Sequence, residues 1–147
     1  MEQNWVSENK RITARLREFT ANLTEKELKT VINKEGWTVA VALAHVAFWD
    51  SWRTQLLKQW KKEGVKASPM ASDLINDAAI PLFLAIPPGK IPALVVSIAE
   101  KLDKEIEELP PELVSEIVNC GEAGGLNRVN HRKMHLDDIE NLLKRKK

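Results

Sequence analysis

Four stretches of this chain repeat apolar residues at steps of three and four, and nowhere do polar and apolar residues alternate over a strand's length between turn signals. The first stripe is Trp5, Ile12, Leu16, Phe19 and Leu23, with Lys10, Arg11, Arg15, Arg17 and Glu18 between its members. A second begins after Thr38, whose hydroxyl suits an N-cap, and runs through Val41, Phe48, Trp49, Trp52, Leu56 and Trp60 until Lys61, Lys62, Glu63 and Gly64 end it. The third starts beside Pro92, which fits a first helical turn, and keeps its spacing through Ile91, Leu94, Val95, Ile98, Leu102, Ile106 and Leu109 to Pro110-Pro111. The fourth, Val129, Leu136, Ile139 and Leu143, predicts a last helix from about Asn127 to Lys144. The only β-branched cluster, Val95-Val96 with Ile98, sits inside a helical pattern.

The segments between the stripes are short or broken. Thr24-Glu25-Lys26-Glu27 has the form of a capping box and predicts a short helix over Glu25 to Asn33, closed by Gly36. Residues 65–90 contain Pro69, Pro81, Pro87 and Pro88, yet Asp73 to Ala85 is a helix-sized apolar segment, so a crossover with one short helix is expected. A turn of helix at Pro111 to Val118 and a loop with Gly121, Gly124 and Gly125 lead to the last helix. The expectation is one all-α domain over residues 1–147, an up-and-down four-helix bundle with short extra helices in its connections.

Composition narrows the function classes. Twenty-two Lys and Arg against 21 Asp and Glu leave a net charge of +1, which gives no argument for a nucleic-acid partner or an anionic membrane. The tail Lys144-Arg145-Lys146-Lys147 lacks aromatic interleaving and suits the helix dipole. The single cysteine, Cys120, excludes an intrachain disulfide and a multi-cysteine zinc site, and no His or basic residue adjoins it to activate the thiol. The opening MEQNWVSENK has no apolar secretory core, and the longest near-apolar run, Trp37 to Trp49, is shorter than the roughly 20 residues that cross a bilayer. A cytoplasmic protein with no membrane span is expected.

The three histidines carry the chemistry. His131 and His135, four apart on the last helix, leave the same face one turn apart, the usual helical spacing for two ligands of one metal ion. The zinc-protease version places Glu directly after the first His; Arg132 stands there instead, so that reading fails. His45 lies in the apolar Ala-Leu-Ala-His-Val-Ala-Phe-Trp, where a core histidine with one hydrogen bond is the plain alternative to a ligand. If the helices alternate up and down, the second and fourth run parallel across the bundle, and the three rings converge at one level. Three neutral imidazoles leave open positions on an ion, the layout of a reactive rather than a closed structural site. Such ligands suit zinc, nickel, copper and iron alike.

Trp37-Thr38 with His45 eight residues after the Trp, Val46-Ala47-Phe48-Trp49-Asp50, and His131-x-x-x-His135-x-x-x-Ile139 resemble the signature of the DinB/YfiT-like superfamily of metalloenzymes. The resemblance implies that His45, His131 and His135 bind a divalent metal, zinc or nickel in first place and iron or manganese as alternatives, in a bundle that is often a homodimer. Asp73-x-x-Asn76 is similar to a segment near the metal in many members. The position four after Trp37, often acidic in such proteins, is Val41 here. Relatives resemble transferases or isomerases that use a low-molecular-weight thiol, or hydrolases, so the resemblance implies a small-molecule substrate without naming one reaction.

Two acids are candidates for a general base. Asp138 lies on the ligand face, three after His135, and Asp50 lies five beyond His45; for each, an ordinary ion pair with Arg or Lys is the alternative. Asn127, four before His131, could reach a ligand or cap the helix, and Trp49 and Trp52 could wall a pocket or fill the core. Two functions follow. The first is a metal-dependent hydrolase or thiol-dependent transferase; the second is a non-catalytic dimeric bundle, its metal structural or vestigial, that sequesters a small molecule.

Overall fold

Two helices start where the sequence supplies a capping hydroxyl. In the computed structural model, which describes residues 4–67 and 72–145, Thr24 Oγ1 accepts from the Glu27 backbone N–H at 3.1 Å while Glu27 Oε1 accepts from the Thr24 N–H at 3.0 Å, a complete capping box. Thr38 Oγ1 accepts from the Val41 N–H at 3.1 Å, and Gly64 ends the same helix with φ of 88°, a conformation that favours glycine. The elements are α1 (Trp5–Ala21), α2 (Glu25–Leu28), α3 (Val39–Glu63), α4 (Ser72–Ala85), α5 (Ile91–Glu107), α6 (Pro111–Asn119) and α7 (Val129–Arg145), with single 3₁₀ turns at Pro88–Lys90 and Ala123–Gly125. Among the described residues there is no strand, as expected; the one β-bridge pairs Val31 with Thr38. No single helix is long and apolar enough to cross a membrane; the α4 segment and the Pro88–Glu107 segment pass that test only together, across a bend of 104°.

Two boundaries differ from the expectation. The second helix ends at Leu28 rather than Asn33, because β-branched Thr30, Val31 and Ile32 enter a tight loop in which Ile32 N–H reaches Trp37 O at 2.7 Å and Val39 N–H reaches Thr30 O at 2.9 Å. The last helix starts at Val129, with Asn127 Oδ1 accepting from the Val129 N–H at 3.1 Å in an Asx-type turn just before it. Pro69 of the expected crossover, the first three residues, and Lys146 and Lys147 of the basic tail lie outside the described residues.

The helix order also differs. On α1, Lys10, Thr13 and Arg17 pair with Glu107, Asp103 and Glu100 of α5, so those helices are antiparallel, whereas Asn9 and Arg15 reach Arg128 and Glu140 of α7, so α1 and α7 are parallel. Along α3, Leu43 and Ala47 share a core cluster with Ile91 and Val95, and Leu57 and Trp60 share one with Leu102 and Ile106, so α3 and α5 run the same way. The bundle is therefore up-down-down-up. The crossover carrying α4 returns the chain to the end where α3 began, and α3 and α7 become antiparallel neighbours instead of parallel helices on a diagonal.

The two core clusters are separated by a polar layer. One holds Ile12, Leu16, Leu43, Val95, Leu136 and Ile139; the other holds Leu57, Trp60, Leu102, Ile106, Ile117 and Leu126. Between them lie Asn9, Thr13, Asp50, Asp103, Arg128 and Arg132, all buried. Helix α3 is buried on every side from Val39 to Ala47, and alanines at 40, 42, 44 and 47 let its neighbours approach closely.

Candidate metal centre

Because α3 and α7 are neighbours, the fully buried segment of α3 brings His45 against the first two turns of α7. His131 and His135 meet it there, each with one ligand nitrogen within 4.8 Å of the others. His131 Nε2 lies 3.2 Å from His45 Nε2. Two nitrogens each about 2.1 Å from one ion stand about 3.0 Å apart at a right angle and about 3.4 Å apart at the tetrahedral angle, and the observed pair falls between. The ring centroids are 4.7 to 5.2 Å apart, and Trp37 packs on His45 at 5.1 Å.

The rings are kept neutral. Burial pushes His45 down to about 4, helped by His135, and pushes His131 down to about 2, helped by the Arg128 guanidinium. Burial also lowers His135, while the exposed Asp138 pulls the other way. Neutral imidazoles have lone pairs to offer, and His135 Nε2 is buried without any hydrogen-bond partner. These features fit a divalent ion.

One contact does not fit without a change. Arg128 Nη2 lies 3.2 Å from His131 Nδ1, and a guanidinium only donates, so Nδ1 is the acceptor. In the neutral ring the proton is then on Nε2, which donates to His45 Nε2. An ion taken at His131 Nε2 requires that proton to leave and the Arg128 contact to open, since a ligating histidine ordinarily donates from its other nitrogen.

Behind the rings, the polar layer is an ion-pair network that fixes α7 against the other three long helices. Asp50, fully buried, accepts from Arg128 Nε at 3.0 Å and from Arg132 Nε at 2.9 Å. Arg132, also fully buried, donates from Nη1 to Asp103 at 2.8 Å and Thr13 at 2.9 Å, and Thr13 in turn donates to Asp103. Asn9 accepts from the Arg128 backbone N–H at 2.9 Å and donates to Leu126 O at 2.7 Å. Asp50 is therefore committed to two guanidinium groups and holds Arg128 in place; it is not available as a base. Arg132, which displaced the protease glutamate in the sequence, points into this layer.

A cavity of about 210 Å³ adjoins His45 and His131 and is lined also by Trp49, Asn76, Arg53 and Arg128. Trp49 fills the core and walls this cavity at once, its Nε1 donating to Asn76 Oδ1 at 2.7 Å. Asn76 is thus the part of Asp73-x-x-Asn76 that reaches the site, while Asp73 is exposed. Trp52 belongs to a separate shallow groove with Phe48, Gln55 and Leu56, and Cys120 is exposed at the end of α6. Arg128 and Asp103 were not among the residues singled out from the sequence, and Arg132 was noted only for excluding the protease motif, although a cation inside the apolar stripe of α7 was there to be read.

No curated protein and no solved structure matches the chain. Residues 10–123 match the mycothiol maleylpyruvate isomerase N-terminal domain, a domain of the DinB/YfiT-like superfamily; the match includes His45 and stops before His131 and His135, which the fold brings to it. Matched over most of its length, the chain belongs to the family of the mycothiol maleylpyruvate isomerase N-terminal domain.

Proposed function

We propose that this protein is a divalent-metal-dependent enzyme in which His45, His131 and His135 hold zinc or nickel, with iron or manganese as alternatives, and which carries out thiol transfer or hydrolysis on a small molecule. The observation that carries the reading is the approach of three neutral imidazoles to one another, two of them on a cavity wall and the third, His135, with Nε2 buried and without a hydrogen-bond partner. Bound there, the ion would lower the pKa of a water or of a low-molecular-weight thiol and supply a nucleophile near neutral pH. The family name favours the thiol. The chain's own residues orient and exclude: Trp37 and Trp49 shield the rings from water, and Asp50 steadies the α7 turn that carries His131 through Arg128. We also place the protein in the cytoplasm as a homodimer without nucleic-acid or membrane partners, a reading to which the exposed Leu74, Leu82 and Leu84 of α4 lend an apolar surface.

Metal analysis of the purified protein before and after chelation, repeated for His131→Ala, tests the site. Stoichiometric metal in the wild type and none in the variant is expected. Absence of metal from both after reconstitution refutes the proposal. With metal present, turnover of electrophiles with added thiols, and of esters and amides without, separates transfer from hydrolysis; inactivity in every case favours a structural metal in a small-molecule-binding bundle.

A further inference from the structure

Helix α4 is rich in apolar residues, yet of its side chains only Ala79 is buried, and Leu74, Leu82 and Leu84 are exposed. Its substantial packing is against α3 alone, whereas α5 and α7 each pack on both α1 and α3. Among the described residues one side-chain hydrogen bond ties α4 to another element, the 2.7 Å bond from Trp49 Nε1 to Asn76 Oδ1, and no ion pair does. Phe48 and Phe83 add an edge-on ring contact at 6.0 Å. Within the helix, Pro81 has no N–H to give the Asp77 carbonyl. Past its C-terminal end the chain bends by 104° into the Pro88–Glu107 segment. A segment with so few buried contacts and cross-element bonds is drawn from the low-stability end of a fold.

This weakly seated helix covers the histidines. Ser72 and Asn76, one turn apart on α4, line the cavity that adjoins His45 and His131, and the rest of the lining comes from α3 and the entrance to α7. The cavity holds about 210 Å³, below the roughly 300–1,000 Å³ of pockets that enclose small molecules, and His45 is buried at its wall. A substrate of even modest size therefore enters only if part of the wall moves. Of the lining elements α4 is the one that can: α3 is held by both cores, and Arg128 and the first turn of α7 are fixed by Asp50. The geometry also favours it. Asn76 and Ser72 lie about 15 and 21 Å along the helix from Ile86, so a rotation of about 15° there carries them about 4–6 Å.

We propose that α4 is a lid over the histidine cavity, which undocks from α3 about the junction at Ile86–Pro88 to admit substrate and re-docks through Asn76 and Phe83. The inference rests on the metalloenzyme reading for what the cavity does and adds how that cavity is reached. Asn76 serves as the latch at the free end of the lid, and Phe83, two turns further on and outside the cavity lining, seats the end nearest the hinge.

The test uses the full chain depleted of metal, so that its outcome is separable from that of the metal site. The chain has three histidines and no tyrosine, so carbethoxylation by diethyl pyrocarbonate, followed by absorbance and assigned by mass spectrometry, reads access to the site directly. Asn76→Ala and Phe83→Ala should each speed modification of His45 at least threefold. Hydrogen exchange should be at least tenfold faster in α4 than in α5 in the wild type, and faster again in α4 of both variants with α5 unchanged. Where Phe83→Ala does not fold, Asn76→Ala decides. Amides of α4 as protected as those of α5, or His45 modified at one rate in the wild type and the variants, overturn the lid. Faster modification matched by lost protection in α5 overturns it too, because access then comes from unfolding of the bundle. Metal uptake with α4 fully protected refutes the lid alone, and lid opening in a protein that takes up no metal refutes the metal reading alone.

Discussion

Replacing Asp50 by Asn keeps the shape of the side chain and removes the charge on which two arginines converge. In the native layer two anions, Asp50 and Asp103, face two cations, Arg128 and Arg132, and all four side chains are almost completely shielded from water. After Asp50→Asn, the amide accepts at one position only, and its NH₂ confronts a guanidinium donor. Breaking a buried pair by removing one partner costs about 3–5 kcal/mol. For a chain of this size each kcal/mol moves the melting temperature by about 2–4 °C, so the transition should fall by about 6–20 °C. Urea denaturation followed by circular dichroism measures the free energy directly. Asp137→Asn is the control: that acid is about one-third exposed and pairs with Arg15 and Lys133, so its loss should stay within about 1 kcal/mol. If the cost comes from stranded cations, Asp50→Asn combined with Arg132→Met should be less damaging than the sum of the single changes, with a coupling of about 1–3 kcal/mol. A cost for Asp50→Asn below about 1 kcal/mol, or strict additivity, would refute the reasoning.

Three further outcomes follow from the geometry. Arg128→Met should tighten zinc binding by about tenfold or more, because metal uptake no longer has to break a hydrogen bond of about 0.5–1.5 kcal/mol or oppose an adjacent cation; competition against a chromophoric chelator checks this, and unchanged or weaker binding contradicts it. In the metal-free protein the folded histidines titrate below the unfolded value of about 6.5. The unfolded chain therefore takes up more protons in that range: stability from the neutral rings is complete above about 6.5 and is lost as pH falls through the folded values, near 4 for His45. Urea midpoints should drop between pH 7.5 and 5, and the His45→Gln/His131→Gln/His135→Gln variant should show a shallower drop. Thr38→Ala removes the hydroxyl cap at the start of α3 and should cost about 1 kcal/mol without altering metal content.

Local chemistry was legible in the sequence wherever one stretch of chain decides it. The caps at Thr24 and Thr38, the stop at Gly64 and the i, i+4 spacing of His131 and His135 are short-range facts, and the structure reproduces them. The meeting of His45 with that pair was also anticipated, but from parallel helices on a diagonal; it comes about through antiparallel neighbours. The direction of α5 depends on where the crossover delivers the chain. Proline breaks in residues 65–90 show that the pattern is interrupted and say nothing about which end of the bundle the chain returns to.

The polar layer was missed for a different reason, and the information was present. Arg132, Leu136, Ile139 and Leu143 fall on one stripe of α7; Asp103 falls with Ala99, Leu102 and Ile106 on α5; Asp50 falls with Leu43, Val46 and Leu57 on α3; and Asn9 and Thr13 fall with Ile12 and Leu16 on α1. Taken singly, each is a polar interruption of an apolar face, which ordinarily means a frayed edge or a solvent contact. Taken together, each of the four long helices carries such an interruption, and with Arg128 just before α7 the charges among them are two of each sign. Apolar faces turned toward one core cannot tolerate unpaired charge, so complementary interruptions on all four must face one another. That rule ties Asp50 to the arginines rather than to catalysis. It also leaves Arg53 outside the layer, with Nε and Nη1 buried and without a hydrogen-bond partner.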